Sequence, residues 1–422
     1  MRWYPLILLA ASGSLTPAHA ESLPDWLKVD GFGTIGILYA DDPIATVRTD
    51  GRNSSGAQNE TRYDQDSVLG LQLTVRPEGP FNAGFQLISK KNSEATHRPR
   101  VQWAYLGWEP NSSVHMKVGR AVAPVFALSD VNDVHYSQIT AQPPNSVYAN
   151  NSVTYNDGLT GTWEHTFGSD KLTVEGYAGK TNIDTSRLFI DVPRQAGLSL
   201  SWNRDALTLR GGYSYARAVV GIPPGGTIDQ FFKITRAAQG LGLCSNCEAF
   251  IDHQLKLNGT TNHVSSLGLT WDDGANVVQA EWAQRTSDSA ILSGSAGWYV
   301  TLARRWGAFT PYLMFSAIKP VAEPINLKLT PPARPTASQT AILNALEGAN
   351  ASNFTGQFHR RQQALGLRWD LYRNLALKLQ WDTYKIDNPL WGSATVVTFP
   401  QGPQSKFDGR VNTYSLNLDF LF

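Results

Sequence analysis

From Ser67 to Arg76 the chain alternates strictly, with Leu69, Leu71, Leu73 and Val75 on one parity and Gly70, Gln72, Thr74 and Arg76 on the other. The next segment repeats the pattern, setting Phe81, Ala83, Phe85 and Leu87 against Asn82, Gly84 and Gln86. The last stretch, Val411 to Phe422, sets Tyr414, Leu416, Leu418, Phe420 and Phe422 against Thr413, Ser415, Asn417 and Asp419. A period of two with one oily and one wet face is the signature of a β-strand, because successive side chains point to opposite faces. Sixteen candidate strands can be placed between Val29 and Phe422. In the fourth, Val101 to Trp108, the pattern does not reveal the oily face.

The connections are sorted by length. Short turns fall at Pro77 to Pro80, Glu109 to Ser112, Phe167 to Asp170, Trp202 to Asp205, Asp272 to Gly274, Arg305 to Gly307 and Tyr372 to Asn374. Long or irregular segments fall between them, at Asp41 to Arg62, Ser89 to Arg100, Ala121 to Asn156, Thr181 to Arg194, Val219 to His263, Thr286 to Ser295, Lys319 to His359 and Ile386 to Asp408. A sandwich or propeller has no reason to sort its loops this way, whereas an up-and-down membrane barrel has short turns at one rim and long loops at the other. An even strand count lets the last strand pair antiparallel with the first, leaving no sheet edge in lipid. The expected fold is therefore all-β, a transmembrane antiparallel barrel of sixteen strands. Trp108, Trp202, Trp271, Trp306 and Tyr372 lie at or beside the short turns, where an interfacial aromatic girdle belongs. Glycines at inward positions, Gly70, Gly84, Gly212 and Gly366, suggest an interior kept clear, although glycine also eases curvature.

The N-terminus adds a compartment. Arg2, an apolar run through Leu6 to Ala11 and Ala18-His19-Ala20 form a secretory signal peptide over residues 1–20, which leaves residues 21–422 as one barrel domain. Without Arg2 the remaining 35 basic residues balance 35 acidic ones, so global charge makes no case for nucleic acid. Cys244 and Cys247, separated by Ser245-Asn246 in an exported chain, read as a local disulfide pinning a loop. The alternative, a metal site with His253 or His263, lacks a second cysteine pair, and neither metal nor cofactor is expected. Asp229 to Gly240 and Ser338 to Gly348 carry capping residues, internal apolar positions and terminal glycines, and read as short helices over the mouth.

The final strand resembles the closing strand of Gram-negative outer-membrane proteins, whose terminal aromatic, here Phe422, belongs to the signal read by the barrel-assembly machinery. Further motifs resemble a proteobacterial outer-membrane porin family: Trp103 to Leu106 (W-A-Y-L), Val118 to Arg120 (V-G-R), Pro124, Ser129-Asp130, Pro143-Pro144 and Val147-Tyr148. The likeness is clearest over residues 29 to 180 and in the last strand. Members carry glycine before the loop's tyrosine where this chain has His135, a departure in the local turn. The resemblance implies a third long loop folded into the lumen and a homotrimer in outer-membrane lipid. A barrel of this size leaves an open aqueous lumen, so something inside must set its size limit. Ser129, Asp130, Asn132 and Asp133 are the groups to place at that constriction, the alternative being that they cap turns within the loop.

Parity also assigns the wall. Arg76, Lys90, Lys117, Arg210, Arg285, Arg368 and Lys378 fall opposite the oily face, and Arg120 could join them; the acidic set is Glu164, Glu175, Glu281, Asp382 and Asp419. The basic excess suggests a weak anion preference. The expected function is a passive channel for small hydrophilic solutes and ions, with a substrate-specific channel or a plugged adhesin-type barrel as alternatives. An outer-membrane hydrolase is less favoured, because there is no G-x-S-x-G elbow or paired His/Asp cluster near a rim, and His115 and His165 each stand alone.

Overall fold

A computed structural model describes residues 23–148, 153–185, 188–292, 294–321, 327–352, 359–387, 397–398 and 407–422. The signal-peptide segment lies outside them. One antiparallel sheet carries β1 (Leu27–Ala40), β2 (Val68–Val75), β3 (Phe81–Lys90), β4 (Arg100–Asn111), β5 (Val114–Val122), β6 (Tyr155–Phe167), β7 (Asp170–Asp184) and β8 (Phe189–Arg204). It continues through β9 (Leu207–Gly221), β10 (Thr260–Asp272), β11 (Asn276–Ser287), β12 (Ser295–Arg304), β13 (Phe309–Pro320), β14 (His359–Tyr372), β15 (Leu375–Asp387) and β16 (Arg410–Leu421). A three-residue piece, Glu60–Arg62, extends the pairing of β1. Each strand pairs with its sequence neighbours, and β1 pairs with both β2 and β16, so the sheet closes into a sixteen-stranded barrel.

The two faces separate as a lipid-facing barrel requires. Ile35, Leu106, Val118, Leu198, Leu267, Leu365 and Leu379 project outward and are exposed, as are Trp108, Trp306 and Tyr372 near the short turns. Many inward positions of β13 to β16 are polar, and Thr310, Ser316, Gln362, Lys378, Gln380, Asp382, Thr413, Ser415, Asn417 and Asp419 are all buried from solvent; apolar Met314, Ile318, Ile386 and Val411 share the same face. At the seam, Gly31 and Phe422 exchange backbone hydrogen bonds (2.7 and 3.0 Å). A Cβ on Gly31 would lie 2.1 Å from the Phe422 ring and one on Gly33 2.4 Å from the Phe420 ring, so the closing aromatics lie directly over glycine backbone.

Four details depart from the sequence reading. The connection between β7 and β8 is only Thr185–Leu188, because both strands run on beyond the alternating core; long-rim position does not guarantee a long loop. In β4 the register shifts between its pairs with Gln86 and Leu87, a bulge that switches parity and explains why no single oily face could be read there. The inward glycines do not clear the lumen. Cβ atoms on Gly70, Gly84 and Gly366 would meet the rings of Phe32, Tyr105 and Tyr312, which occupy that space. Arg120, finally, pairs with Asp157 and keeps the parity of exposed Val118, which lies opposite Leu159; it does not share the face of Lys117.

The long loops are built structures. Helix α1 (Thr227–Gly240) and helix α2 (Ala337–Ser352) lie in the connections before β10 and before β14. Phe231, Phe232, Leu243, Phe250, Leu255, Leu343 and Leu346 bring the two connections together in a common apolar core. The Cys244–Cys247 disulfide is part of that core (Cα–Cα 5.6 Å), and Leu243 to Ser245 pairs with Lys328 to Thr330 through backbone hydrogen bonds. Thr46–Val47 pairs with Val397–Thr398, bracing the first long loop against the last.

Candidate functional site: the connection from Ala123 to Tyr148

The segment after β5 has little regular structure beyond two 3-10 turns, Ser129–Val131 and His135–Ser137, and a helical turn at Asn145–Tyr148. Its position is set by hydrogen bonds to inward side chains. Arg210 Nη2 donates to Pro124 O (3.0 Å), Ser266 Oγ to Val125 O (3.0 Å), and Ala127 N to Glu281 Oε1 (2.9 Å). Further along, Arg368 Nη1 donates to Tyr136 O (2.7 Å) and Gln138 O (2.9 Å), and Lys378 Nζ to His135 O (2.6 Å) and Thr140 O (3.1 Å). Ala141 N donates to Tyr312 Oη (3.2 Å) and Gln380 Oε1 (3.0 Å), while Asn417 Nδ2 donates to Ala141 O (2.8 Å). The segment is thus bonded to side chains of β9, β10, β11, β13, β14, β15 and β16. A backbone without ladder partners needs such donors and acceptors, which explains why so many inward polar groups are buried.

Several expected wall charges are consumed in this way. Lys378 and Asp419 form a fully buried ion pair (2.9 Å), and Asp419 also accepts from Thr34 Oγ1 (2.7 Å). Asp382 is buried and accepts from Gln362 and Gln380. Glu281 accepts from Tyr148 Oη (2.7 Å) as well as Ala127 N. Arg368 pairs with Asp370 (2.7 Å) and Arg210 with Glu175 (2.7 Å). Lys378, Asp382, Asp419 and Glu281 are on the inward parity but are not open lumen wall. Alternation fixes which face a side chain takes and is silent about what covers that face. Arg285 is half-buried beside an apolar cavity. Glu164 pairs with Lys171 (2.8 Å), and Arg76 pairs with Glu109 at the short-turn rim (3.2 Å). Lys117 is exposed, its ammonium 4.9 Å from the Tyr105 ring centre.

Of the four loop residues, Ser129 Oγ accepts from Phe126 N (2.9 Å), a turn-capping contact. Asn132 Nδ2 reaches its neighbour Asp133 only at 3.5 Å, Asp130 is exposed, and Asp133 binds Lys90 Nζ (2.5 Å). Around that pair the structure gathers residues with no periodic signal. Burial alone would raise the Asp133 carboxyl, but Lys90, Arg100 and Arg52 hold it below the usual carboxylate range. Burial is likewise outweighed at Asp50, where Arg52 (2.5 Å) and Lys90 hold the carboxyl well below its ordinary value. Burial pushes the His135 imidazole down to about 4, leaving it neutral at physiological pH. The cluster therefore has three cations, Arg52, Lys90 and Arg100, against two anions, Asp50 and Asp133. Among the described residues no group of three His, Cys, Asp or Glu is placed to hold a metal ion.

This architecture is shared with known proteins. An anion-selective porin from Comamonas acidovorans superposes with a TM-score of 0.53 at 14% identity, covering 94% of this chain and 100% of the other. Salmonella typhi OmpF, solved in complex with daunomycin, gives 0.56 at 10% identity over 94% and 97%. The chain has the porin fold. Vibrio cholerae OmpT, an outer membrane protein, gives 0.51 at 10% identity over 94% and 99%. No protein-family model matches the chain, and no curated protein sequence does. At these identities the likeness to porins establishes the fold, and the function has to be argued from the site.

Proposed function

We propose that the chain is an outer-membrane porin, a passive diffusion channel for small hydrophilic solutes and ions, with the connection after β5 lying in the lumen and narrowing it. The observation that carries this is the set of hydrogen bonds between that connection and inward side chains on β9, β10, β11 and β13 to β16. Bonds to that many inward positions support a course for the segment along the inside of the wall, with the bore between it and the uncovered strands. There Lys117 and Asp130 are open to water and the Arg52–Lys90–Arg100 group faces Asp50 and Asp133. The excess of one cation supports a weak anion preference, since low-dielectric walls focus even a small charge imbalance. Export by a signal peptide, insertion by the barrel-assembly machinery with Phe422 in its signal, and a homotrimer surrounded by lipid complete this reading.

Planar-bilayer recording tests it. The purified protein gives stable conductance steps and a reversal potential on the anion side in a KCl gradient. Asp133→Asn, which leaves Asp50 alone against Lys90, Arg52 and Arg100, moves the potential further that way, and Asp130→Asn does so to a smaller extent. A folded barrel without conductance, or an Asp133→Asn variant with an unchanged reversal potential, refutes the proposal. Chemical crosslinking checks the trimer.

A further inference from the structure

The outer wall has a charged edge at its loop end. Arg360 and Tyr384 turn inward, where both bond to Asn145, and Val411 is buried, so their chain neighbours Arg361, Lys385 and Arg410 point outward, and all three are exposed. Arg361 stands directly opposite Lys385, and Lys385 directly opposite Arg410. Like charges facing each other across a ladder are destabilising, and the chain offsets them only in part. Asp387 pairs with Arg361 (2.9 Å), and the Asp408 carboxylate accepts from the backbone N–H of Arg410 (2.9 Å). Among the described residues the side chains of Lys385 and Arg410 form no ion pair. Four residues nearer the short turns on the same three strands lie Leu365, Trp381 and Tyr414, all exposed, with Tyr414 opposite Tyr39 and the two rings 6.2 Å apart. Lys385 is ten residues along β15 from Leu375 at its short turn. A strand rising about 3.4 Å per residue and tilted about 40° climbs about 26 Å in that distance, the height of the apolar band of a membrane barrel. The cations therefore stand just above hydrocarbon, at headgroup level, over an aromatic belt. The row is two strand spacings wide, about 10 Å, which seats two phosphates side by side.

We propose that the outer wall of β14 to β16 is a binding site for a lipid of the outer leaflet whose headgroup carries two phosphates, with the phosphates on Arg361, Lys385 and Arg410 and the acyl chains along Leu365, Leu379 and Trp381. A phosphate between two facing cations turns their repulsion into charge-assisted hydrogen bonds. The occupant is a lipid and not a free anion, because the row faces away from the lumen and its apolar flank needs chains to cover it. The proposal rests on the barrel lying in the outer membrane and is independent of conduction.

Native mass spectrometry of the delipidated full-length protein in a non-ionic detergent tests it. The probes are a hexa-acylated glucosamine disaccharide bearing two phosphates, the same lipid with one phosphate, and free pyrophosphate. The bisphosphorylated lipid binds saturably, and the monophosphorylated one about fivefold more weakly. Lys385→Gln combined with Arg410→Gln weakens the bisphosphorylated lipid about tenfold and removes the preference for two phosphates, whereas Lys385→Arg combined with Arg410→Lys retains both. Trp381→Ala, which strips the apolar flank, weakens the two lipids by the same factor. Should the double Gln variant fail to fold, judged by heat-modifiable electrophoretic mobility, Arg410→Gln alone carries the test, with a loss of about threefold. Equal affinity for the two lipids, a Gln variant that folds and binds as the parent does, or displacement of the lipid by equimolar pyrophosphate overturns the proposal. The folded double Gln variant keeps the parent's conductance steps, so the channel reading stands or falls on its own recordings.

Discussion

Replacing Lys378 by Met separates two things that its ammonium does. It donates to the carbonyls of His135 and Thr140, which holds the loop, and it pairs with Asp419, which neutralises a buried carboxylate in the barrel wall. Hydrogen bonds to a charged group contribute roughly 1.5–3 kcal/mol each, so the loop loses about 3–6 kcal/mol of attachment. Leaving one member of a buried pair behind costs about 3–5 kcal/mol of barrel stability. At about 1.4 kcal/mol per factor of ten, the undocked loop population rises at least a hundredfold. It nevertheless starts very small, because Arg368, Asn417, Gln380 and Tyr312 still hold Tyr136 to Ala141. The expected result is therefore excess open-channel noise and faster proteolysis at the loop, with little change in mean conductance. Lys378→Met combined with Asp419→Asn removes the orphaned charge and keeps an acceptor for Thr34; it recovers thermal stability while the noise persists. A Lys378→Met channel as quiet and protease-resistant as the parent refutes the tethering, and so does a double variant in which the noise also disappears.

Three other perturbations test separate parts. Asp66, just before β2, accepts from Gln142 Nε2 (2.8 Å), and burial followed by the nearby Asp419 and Asp382 carboxylates raises it from 3.8 to about 7. The folded state therefore holds a proton that the unfolded chain has released between those values, so stability falls as pH rises from about 4 to about 7, on the order of 4 kcal/mol in all. Melting temperatures measured across that window at one scan rate should decline, and Asp66→Asn should flatten the decline. Replacing Cys244 and Cys247 by serine removes a very short covalent loop, worth about 2 kcal/mol by closure entropy, and should make the α1–α2 core protease-sensitive while the barrel melts unchanged. Phe422→Ala should lower the yield of heat-modifiable folded barrel, since it strips the ring from over Gly31; normal assembly would count against a role for that ring.

Strand order, closure and the outward face were legible because they depend on a period of two repeated over many residues, and repetition averages out local exceptions. The exceptions are instructive. The β4 bulge and the parity of Arg120 each shift the count by one residue, and a one-residue slip sends a side chain to the opposite face. The covered wall charges were illegible for a different reason. Lys378 lies 243 residues from His135 and Arg360 lies 215 from Asn145, with which it hydrogen-bonds, and nothing local in either sequence marks the partner. Asp50 and Arg52 were missed because loops carry no periodicity, and Arg100 because it opens β4 where the alternation has not yet begun; the signal available was only that Asp50-Gly51-Arg52 and Arg98-Pro99-Arg100 set charges beside turn formers.

That omission changes where selectivity should reside. The strand charges largely cancel in pairs: Arg210 with Glu175, Lys378 with Asp419, Arg368 with Asp370, and Lys171 with Glu164. A paired wall has little net field beyond a few ångströms, and at 1 M salt screening confines fields to about 3 Å. The unbalanced charge sits at the loop rim, where Arg52, Lys90 at the end of β3 and Arg100 at the start of β4 exceed Asp50 and Asp133 by one. Arg52→Gln brings that group to neutrality and should abolish the anion preference in a KCl gradient, whereas Arg210→Gln, which unpairs Glu175 in the wall, should change stability more than reversal potential. If Arg210→Gln shifted the potential further than Arg52→Gln, the wall ladder rather than the loop cluster would be the seat of selectivity.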